Sequence, residues 1–410
     1  MTSATHPQSS TTIRVYETTL QAQNRKERES RGKPDHWVNS KGTSFTNPWP
    51  SWVPDSWDVI GFMVDLYANP PSIPKDMDTR LPIRKPTWGL ESNSENSAKI
   101  KATWLGHACY LVELPSISPA SRGARILFDP VFSDRCSPSQ HMGPKRYTPP
   151  PCAVEDIPEV DAIVISHNHY DHLDTPTITT LFKRDRIPHI FAPLGNQPYF
   201  DKLHIPKTHA HILDWWDSRR VEVNIQDSNA KDDASHAQKA VFDVTCTPGQ
   251  HRTGRGILDH FKSLWAGWVV EEVKEPEAGG QEGGGGAKVY FAGDTGYRTV
   301  LKGQDEDKVP VCPAFKEIGQ RWGGIDLALL PIGAYLPRPM MSRVHCTPSD
   351  AVRVFQDIRA KRALAMHWGT WVLTNEPVFE PPKLLVEECR KAGIEDGIFA
   401  ICDIGQTSFF

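Results

Sequence analysis

From Ile100 onward, short runs rich in β-branched and aromatic residues alternate with turn-forming residues. The runs at 102–105, 109–113, 126–128, 162–165, 241–245, 289–291, 327–330 and 364–366 are predicted strands. Between some of them the spacing turns helical. The stretch 347–361 opens Thr347-Pro348-Ser349-Asp350, a polar cap followed by proline in the first turn. Strands and helices mixed through the whole body predict one α/β domain over 100–410. Two stretches, 227–239 and 275–287, are polar or glycine-rich and are expected to be surface insertions. The second holds Gly279, Gly280 and Gly283 to Gly286 but neither phosphate-cradling glycine signature, so it is expected to be a hairpin tip.

Upstream of the body, residues 1–46 carry few large apolar groups and are expected to form a mobile arm. The text then changes to Asn47-Pro48-Trp49-Pro50-Ser51-Trp52-Val53-Pro54, too stiff for a helix and too aromatic for a free linker. Over 57–68, Ile60, Met63, Val64 and Tyr67 recur at helical spacing beside Phe62 and Leu66. With no basic polar face, this helix is expected to pack on the protein's own core rather than lie on a membrane. Residues 47–99 thus form a Trp- and Pro-rich segment docked on the main domain.

Charge and cysteine usage narrow the class. The 46 Lys and Arg against 50 Asp and Glu leave a net charge of -4, which gives no footprint for nucleic acid. Eight cysteines without a C-x-x-C pair argue against a zinc ribbon and for a reducing compartment, and no Asn-x-Ser/Thr sequon is present. Apolar stretches such as 265–270 and 327–332 fall far short of the roughly 18 residues a spanning helix needs, so an intracellular protein that does not cross a bilayer is expected. The first sixteen residues are rich in Ser and Thr, carry Arg14 and lack acids. That is a faint mitochondrial signal, soon diluted by Glu17, Glu27 and Glu29.

The candidate chemistry lies in His167-Asn168-His169-Tyr170-Asp171-His172-Leu173-Asp174, directly after the apolar run 162–165. Three imidazoles and a carboxylate within six positions suit a hydrolytic site with two metal ions about 3.5–4 Å apart. Further ligand candidates follow strand-like runs: His251, Asp294 and His367. Ligands at several strand ends converge on one sheet edge, the usual place for an α/β site. Each alone has a plainer meaning, since a lone histidine after a strand is more often structural. Asp294-Thr295-Gly296 is also an ordinary turn or an aspartic-protease signature, though without the second copy that signature needs.

The His-x-His-x-Asp-His cluster with its separated His, Asp and His resembles the metallo-β-lactamase superfamily. The resemblance implies an αββα sandwich with two zinc ions, one held by His167, His169 and His251 and the other by Asp171, His172 and His367, with Asp294 bridging. Asn168 stands where a di-iron branch has Glu, which favours zinc. Asn47-Pro48-Trp49-Pro50, Thr103-Trp104-Leu105-Gly106-His107, Ser137-Pro138-Ser139-Gln140, Met142-Gly143-Pro144-Lys145-Arg146, Leu213-Asp214-Trp215-Trp216, Phe291-Ala292-Gly293-Asp294-Thr295-Gly296-Tyr297, Pro331-Ile332-Gly333-Ala334-Tyr335 and His367-Trp368-Gly369-Thr370 are similar, more narrowly, to the N-acylphosphatidylethanolamine-hydrolysing phospholipase D family. The match runs from Asn47 to Pro382. It departs at His141, at Arg252, where the family has an aromatic residue, and at 298–311, which reads as an insertion.

That resemblance implies hydrolysis of a phospholipid at a membrane surface, possession of two Zn2+ ions, and a homodimer. Asp171 and Asp294 belong to its catalytic centre. His345 is implied to contact phosphate or to protonate the leaving group, and Gln140 and Tyr170 to contact substrate. Asp174 is a candidate to orient a ligand imidazole, and Lys145 and Arg146 to meet anionic headgroups. The Trp-rich segment 49–57, the helix after it and Trp215-Trp216 are candidates to line an acyl groove. Rival readings are a soluble hydrolase of another phosphoester or lactone, similar to sugar-phosphate lactonases, and a catalytically silent zinc protein that binds lipid.

Overall fold

The computed structural model describes residues 12–54, 59–90, 94–116, 121–225, 238–256, 258–274 and 285–410. Two sheets face each other. In spatial order, one runs Ile13–Tyr16, Ser218–Ile225, Gln238–Thr247, Gly267–Glu272, Lys288–Phe291, Ile325–Pro331, Ala360–Met366 and Phe399–Ala400. The other runs Thr407–Phe409, Lys101–Trp104, Tyr110–Glu113, Arg125–Phe128, Ala162–Val164, His189–Pro193 and Ala210–Leu213. Each sheet is antiparallel at one end and parallel at the other. The parallel part needs helical crossovers, and these cover the outer faces.

Burial follows from that layering. Ala162–Val164 and His189–Pro193 are buried at every position, being sandwiched between the facing sheet and helices such as Thr175–Leu181 and Gln197–Lys202. Gln238–Thr247, covered on one face only over much of its length, alternates buried and partly exposed residues. Between the sheets, Phe128 and Phe291 meet with ring centroids 4.8 Å apart, and Trp268 Nε1 donates to the Ile165 carbonyl at 3.0 Å. This shared core fixes the strand ends of both sheets relative to one another. The chain is therefore the expected αββα sandwich.

Several expectations are corrected. The arm expected over 1–46 is built into the fold from Ile13: Ile13–Tyr16 pairs with Val223 to Arg220, and helix Thr19–Ser30 is closed by a Thr18–Gln21 capping box. No residue of that helix is buried. Ion pairs such as Arg28–Asp217 tie it down, an attachment that leaves no apolar periodicity to read. The helix expected to run to 361 ends at Asp357, because Arg359 turns into the left-handed region (φ 56°) and strand Ala360–Met366 begins. Helix Val59–Ala68 forms, but Val64 and Tyr67 are 63% and 91% exposed and so do not pack on the core. The side chains of Ile60 and Met63 lie outside the described residues, as do 227–237 and 275–284 of the two expected insertions. The strands flanking 275–284 pair antiparallel, as a hairpin requires.

The segment from Asn47 to Pro54 is pinned, and polar contacts do much of the pinning. Trp49 stacks on Trp215 at 5.4 Å. Asn47 Nδ2 donates to the His251 carbonyl at 2.8 Å and Asn47 Oδ1 accepts from the His251 amide at 3.1 Å. Ser51 Oγ donates to Gln250 Oε1 at 2.6 Å.

Candidate metal centre

The ligand candidates come from loops that leave strand ends on one side of the sandwich. His167 to His172 follow Ala162–Val164, His251 follows Gln238–Thr247, Asp294 follows Lys288–Phe291 and His367 follows Ala360–Met366. The seven side chains converge. His167 Nε2 lies 2.8 Å from His169 Nδ1, which lies 3.4 Å from His251 Nε2, so three ring nitrogens aim at one point. Asp171, His172 and His367 form a second group, with Asp171 Oδ2 3.4 Å from His172 Nε2 and 3.5 Å from His367 Nε2. Asp294 stands between. Its Oδ2 is 3.9 Å and 3.8 Å from the nitrogens of His167 and His251 and 3.1 Å from His172 Nε2, while Oδ1 is 3.0 Å from His367 Nε2.

The donor set fits two divalent ions. His172 Nε2, His367 Nε2 and Asp294 Oδ1 are buried with no hydrogen-bond partner among the described residues, a costly arrangement for groups that serve no cation. Nitrogen and carboxylate donors in two groups of three with a shared carboxylate suit zinc.

Two residues that were not singled out from the sequence orient this set. Asp129, fully buried after strand Arg125–Phe128, accepts from Ser166 N at 2.7 Å and from Ser166 Oγ at 2.5 Å, and pairs with His172 Nδ1 at 2.6 Å. A carboxylate only accepts, so His172 Nδ1 carries the proton and Nε2 is left as a free donor. The one hydroxyl hydrogen of Ser166 is committed to Asp129, so Ser166 Oγ accepts from His167 Nδ1 at 2.9 Å, and His167 Nε2 is free too. His251 Nδ1 donates to the Val344 carbonyl at 2.8 Å with the same result. His107 is the second addition: its Nε2 donates to Asp171 Oδ2 at 3.0 Å and its ring packs on His367 at 4.2 Å.

His107, Asp129 and His367 all hold left-handed backbone (φ 52°, 37° and 62°), a strain of about 1–3 kcal/mol each that the surrounding contacts must hold in place. The only sequence signals for Asp129 and His107 were a polar residue at a strand end and one after Gly106.

Burial pushes the imidazoles of His169 and His251 down to about 3 and that of His167 well below the ordinary range, so all three are neutral, as metal binding would require. Burial also opposes charge on His172 and His367, but without a cation the Asp294 and Asp171 carboxylates outweigh it and favour the protonated forms, raising His367 to about 9 and His172 well above its usual value; a metal ion bound there would displace the Nε2 protons and leave His172 in the tautomer that Asp129 sets. Both carboxylates are correspondingly held well below theirs despite burial, His172 foremost.

A cavity of about 200 Å³ opens onto Asp171, Asp294 and His367, and its walls include Phe62, Met340, Met341, Leu373, Arg252 and His345. His345 Nδ1 is 3.9 Å from Asp294 Oδ2, and burial drives its pKa well down. Phe62 brings the helix Val59–Ala68 to the cavity, whereas no described residue of the Trp-rich segment lines it and 55–57 lie outside the described residues.

Other expected roles are corrected. Trp215 and Trp216 are occupied elsewhere, Trp215 against Trp49 and Trp265, Trp216 against Trp322 and Arg321. Asp174 receives Ser133 and Thr177 hydroxyls rather than an imidazole, because Asp129 already holds that position. Gln140 spends both amide atoms on the Arg135 backbone, and Tyr170 lies under the Arg255 guanidinium at 3.8 Å. Neither lines the cavity. Arg146 is buried, donates to the Val131 and Ser133 carbonyls and stacks on Trp371, so it does not face a bilayer, whereas Lys145 is exposed beside Asp134.

Residues 124–368 match a family model described as a beta-lactamase superfamily domain. The chain is 32% identical over 345 residues to N-acyl-phosphatidylethanolamine-hydrolyzing phospholipase D 1 of Caenorhabditis elegans, covering 83% of each chain. It is 29% identical over 376 residues to the mitochondrial N-acyl-phosphatidylethanolamine-hydrolyzing phospholipase D of Saccharomyces cerevisiae, covering 83% of this chain and 69% of that one. A solved metallo hydrolase of Ignicoccus hospitalis is similar at 19% identity and a TM-score of 0.45, covering 76% of this chain and 98% of its own.

Proposed function

Because the chain belongs to the N-acylphosphatidylethanolamine-hydrolysing phospholipase D family of the β-lactamase superfamily, we propose that it is a zinc-dependent phosphodiesterase cleaving N-acylphosphatidylethanolamine to N-acylethanolamine and phosphatidate. The observation that carries this reading is the pair of three-donor groups sharing Asp294 at the floor of a partly apolar cavity. Bound there, two divalent ions supply the Lewis acidity that makes water nucleophilic near neutral pH and neutralise charge on a phosphodiester.

The chain's own residues do the rest. Asp129, through Ser166 and directly, holds the imidazoles of His167 and His172 with their donor nitrogens inward. His107 holds the Asp171 carboxylate. His345, kept neutral by burial, is suited to donate a hydrogen bond to a phosphoryl oxygen rather than to store a proton for the leaving group. Phe62, Met340, Met341 and Leu373 offer apolar surface to acyl chains and exclude water from the reacting centre. No helix among the described residues is long and apolar enough to cross a membrane, and the yeast relative's name places that protein in mitochondria. We extend both to a peripheral role on an intracellular, mitochondrially associated membrane, with the exposed Val64 and Tyr67 turned outward beside the cavity.

The test is mass spectrometry of products from zinc-loaded protein and micellar N-acylphosphatidylethanolamine, with Asp294→Asn in parallel. Release of N-acylethanolamine and phosphatidate by the parent alone is expected. No turnover by a parent carrying two zinc ions would overturn the reading.

A further inference from the structure

Arg252 lines the metal cavity together with His169, Asp171, Asp294, His345 and His367. Its position is held at both flanks. Asn47 clamps the backbone of His251 on one side, and on the other Gly254 N donates to Asn168 Oδ1 at 3.0 Å while the Arg255 guanidinium donates to the carbonyls of Asn168 and Leu173. The loop therefore fixes the backbone from which the Arg252 side chain joins the cavity wall. In its loaded form this cavity holds two carboxylates against two dications and a guanidinium, so its field demands an anionic guest. A planar guanidinium is matched to an oxyanion with two oxygens, and a neutral ester gains nothing from it.

We propose that Arg252 binds an anionic oxygen of the substrate inside the metal cavity. The inference rests on the phosphodiesterase reading and adds a substrate-binding residue at a position where this chain departs from its family. The oxyanion has two possible sources, the scissile phosphodiester or a carboxylate on the headgroup.

The experiment compares parent, Arg252→Met and Arg252→Lys, each zinc-loaded and checked for metal content, on N-acylphosphatidylethanolamine and N-acylphosphatidylserine in mixed micelles. Arg252→Met is expected to lose about 10- to 100-fold in kcat/KM, the worth of one charge-assisted hydrogen bond, with partial recovery in Arg252→Lys. An equal loss on both lipids assigns the phosphodiester as the bound group, and a loss confined to the serine lipid assigns the carboxylate. Unchanged kcat/KM on both overturns the proposal.

Should the parent cleave neither lipid, the phosphodiesterase reading fails by itself, and Arg252 is judged by melting in inorganic phosphate. Stabilisation of parent and Arg252→Lys but not of Arg252→Met supports the oxyanion site, and equal stabilisation of all three overturns it. Arg252→Gln takes the place of Arg252→Met if the latter does not fold.

Discussion

Replacing Asp129 with asparagine tests whether the buried carboxylate sets the ligand tautomers. The substitution is nearly isosteric, so packing is kept. The Ser166 amide points at Oδ1, so the new side chain must keep its carbonyl there and turn its NH2 toward Ser166 Oγ and His172 Nδ1, the two groups that Asp129 Oδ2 now receives. Two donors cannot face each other. His172 must then accept at Nδ1 and carry its proton on Nε2, the nitrogen 3.1 Å from Asp294. The hydroxyl of Ser166, now accepting from the introduced amide, is released to donate to His167 Nδ1, which moves that ring's proton inward as well.

One donor of each group of three is thus turned into the tautomer that cannot bind a metal. Loss of an orienting partner typically lowers metal affinity about 10- to 100-fold, or about 1.4–2.7 kcal/mol, and here both ions are affected. Competition against a chromophoric zinc chelator reads the two affinities, and melting of the metal-free proteins reports on the fold. Two zinc affinities within about twofold of the parent, in a variant that melts like it, would refute the tautomer chain.

Two further predictions address the frame around the centre. Asn47→Ala leaves the buried amide and carbonyl of His251 without their partners and is expected to cost about 1–3 kcal/mol in urea unfolding; a parent-like midpoint would count against the clamp. Asp161 is buried, yet Arg122 and Arg186 outweigh burial and depress its pKa below 3.8. A depressed carboxylate contributes stability that is present above its unfolded pKa and lost as pH falls through the folded value. The urea-midpoint gap between parent and Asp161→Asn should therefore be constant near neutrality and narrow only below about pH 4, and a gap independent of pH would contradict the ion-pair account.

The main strands and the seven converging side chains were legible in the sequence, for a shared reason. A buried strand must be an unbroken apolar run, and a ligand at its end is a polar residue that breaks the run, so Ile163 and Val164 announce His167 as Leu364 and Met366 announce His367. Asp129 gave no such signal, because Phe128-Asp129-Pro130 also reads as a strand running into a turn. Its meaning lies in a contact with His172, 43 residues away. The place of Gln140 was hidden for the opposite reason: its loop satisfies its amide locally, away from the cavity, which resemblance alone does not disclose. The first strand was missed because pairing on a sheet edge needs hydrogen bonds more than apolar side chains.

The Asn47 clamp also has a consequence for synthesis. Asn47 and His251 are 204 residues apart, and Arg343, which donates to the Val53 carbonyl of the same segment, lies 290 residues beyond its acceptor. At ribosomal rates of about 5–20 residues per second, the segment emerges roughly 10 to 40 s before the backbone it must grip. For most of that interval Trp49 lacks Trp215, on which it stacks, and before its end His167, His169 and His172 have been made without His251 or His367 to complete either group. Both groups of three donors are thereby complete only in a nearly finished chain, after His367 has been made.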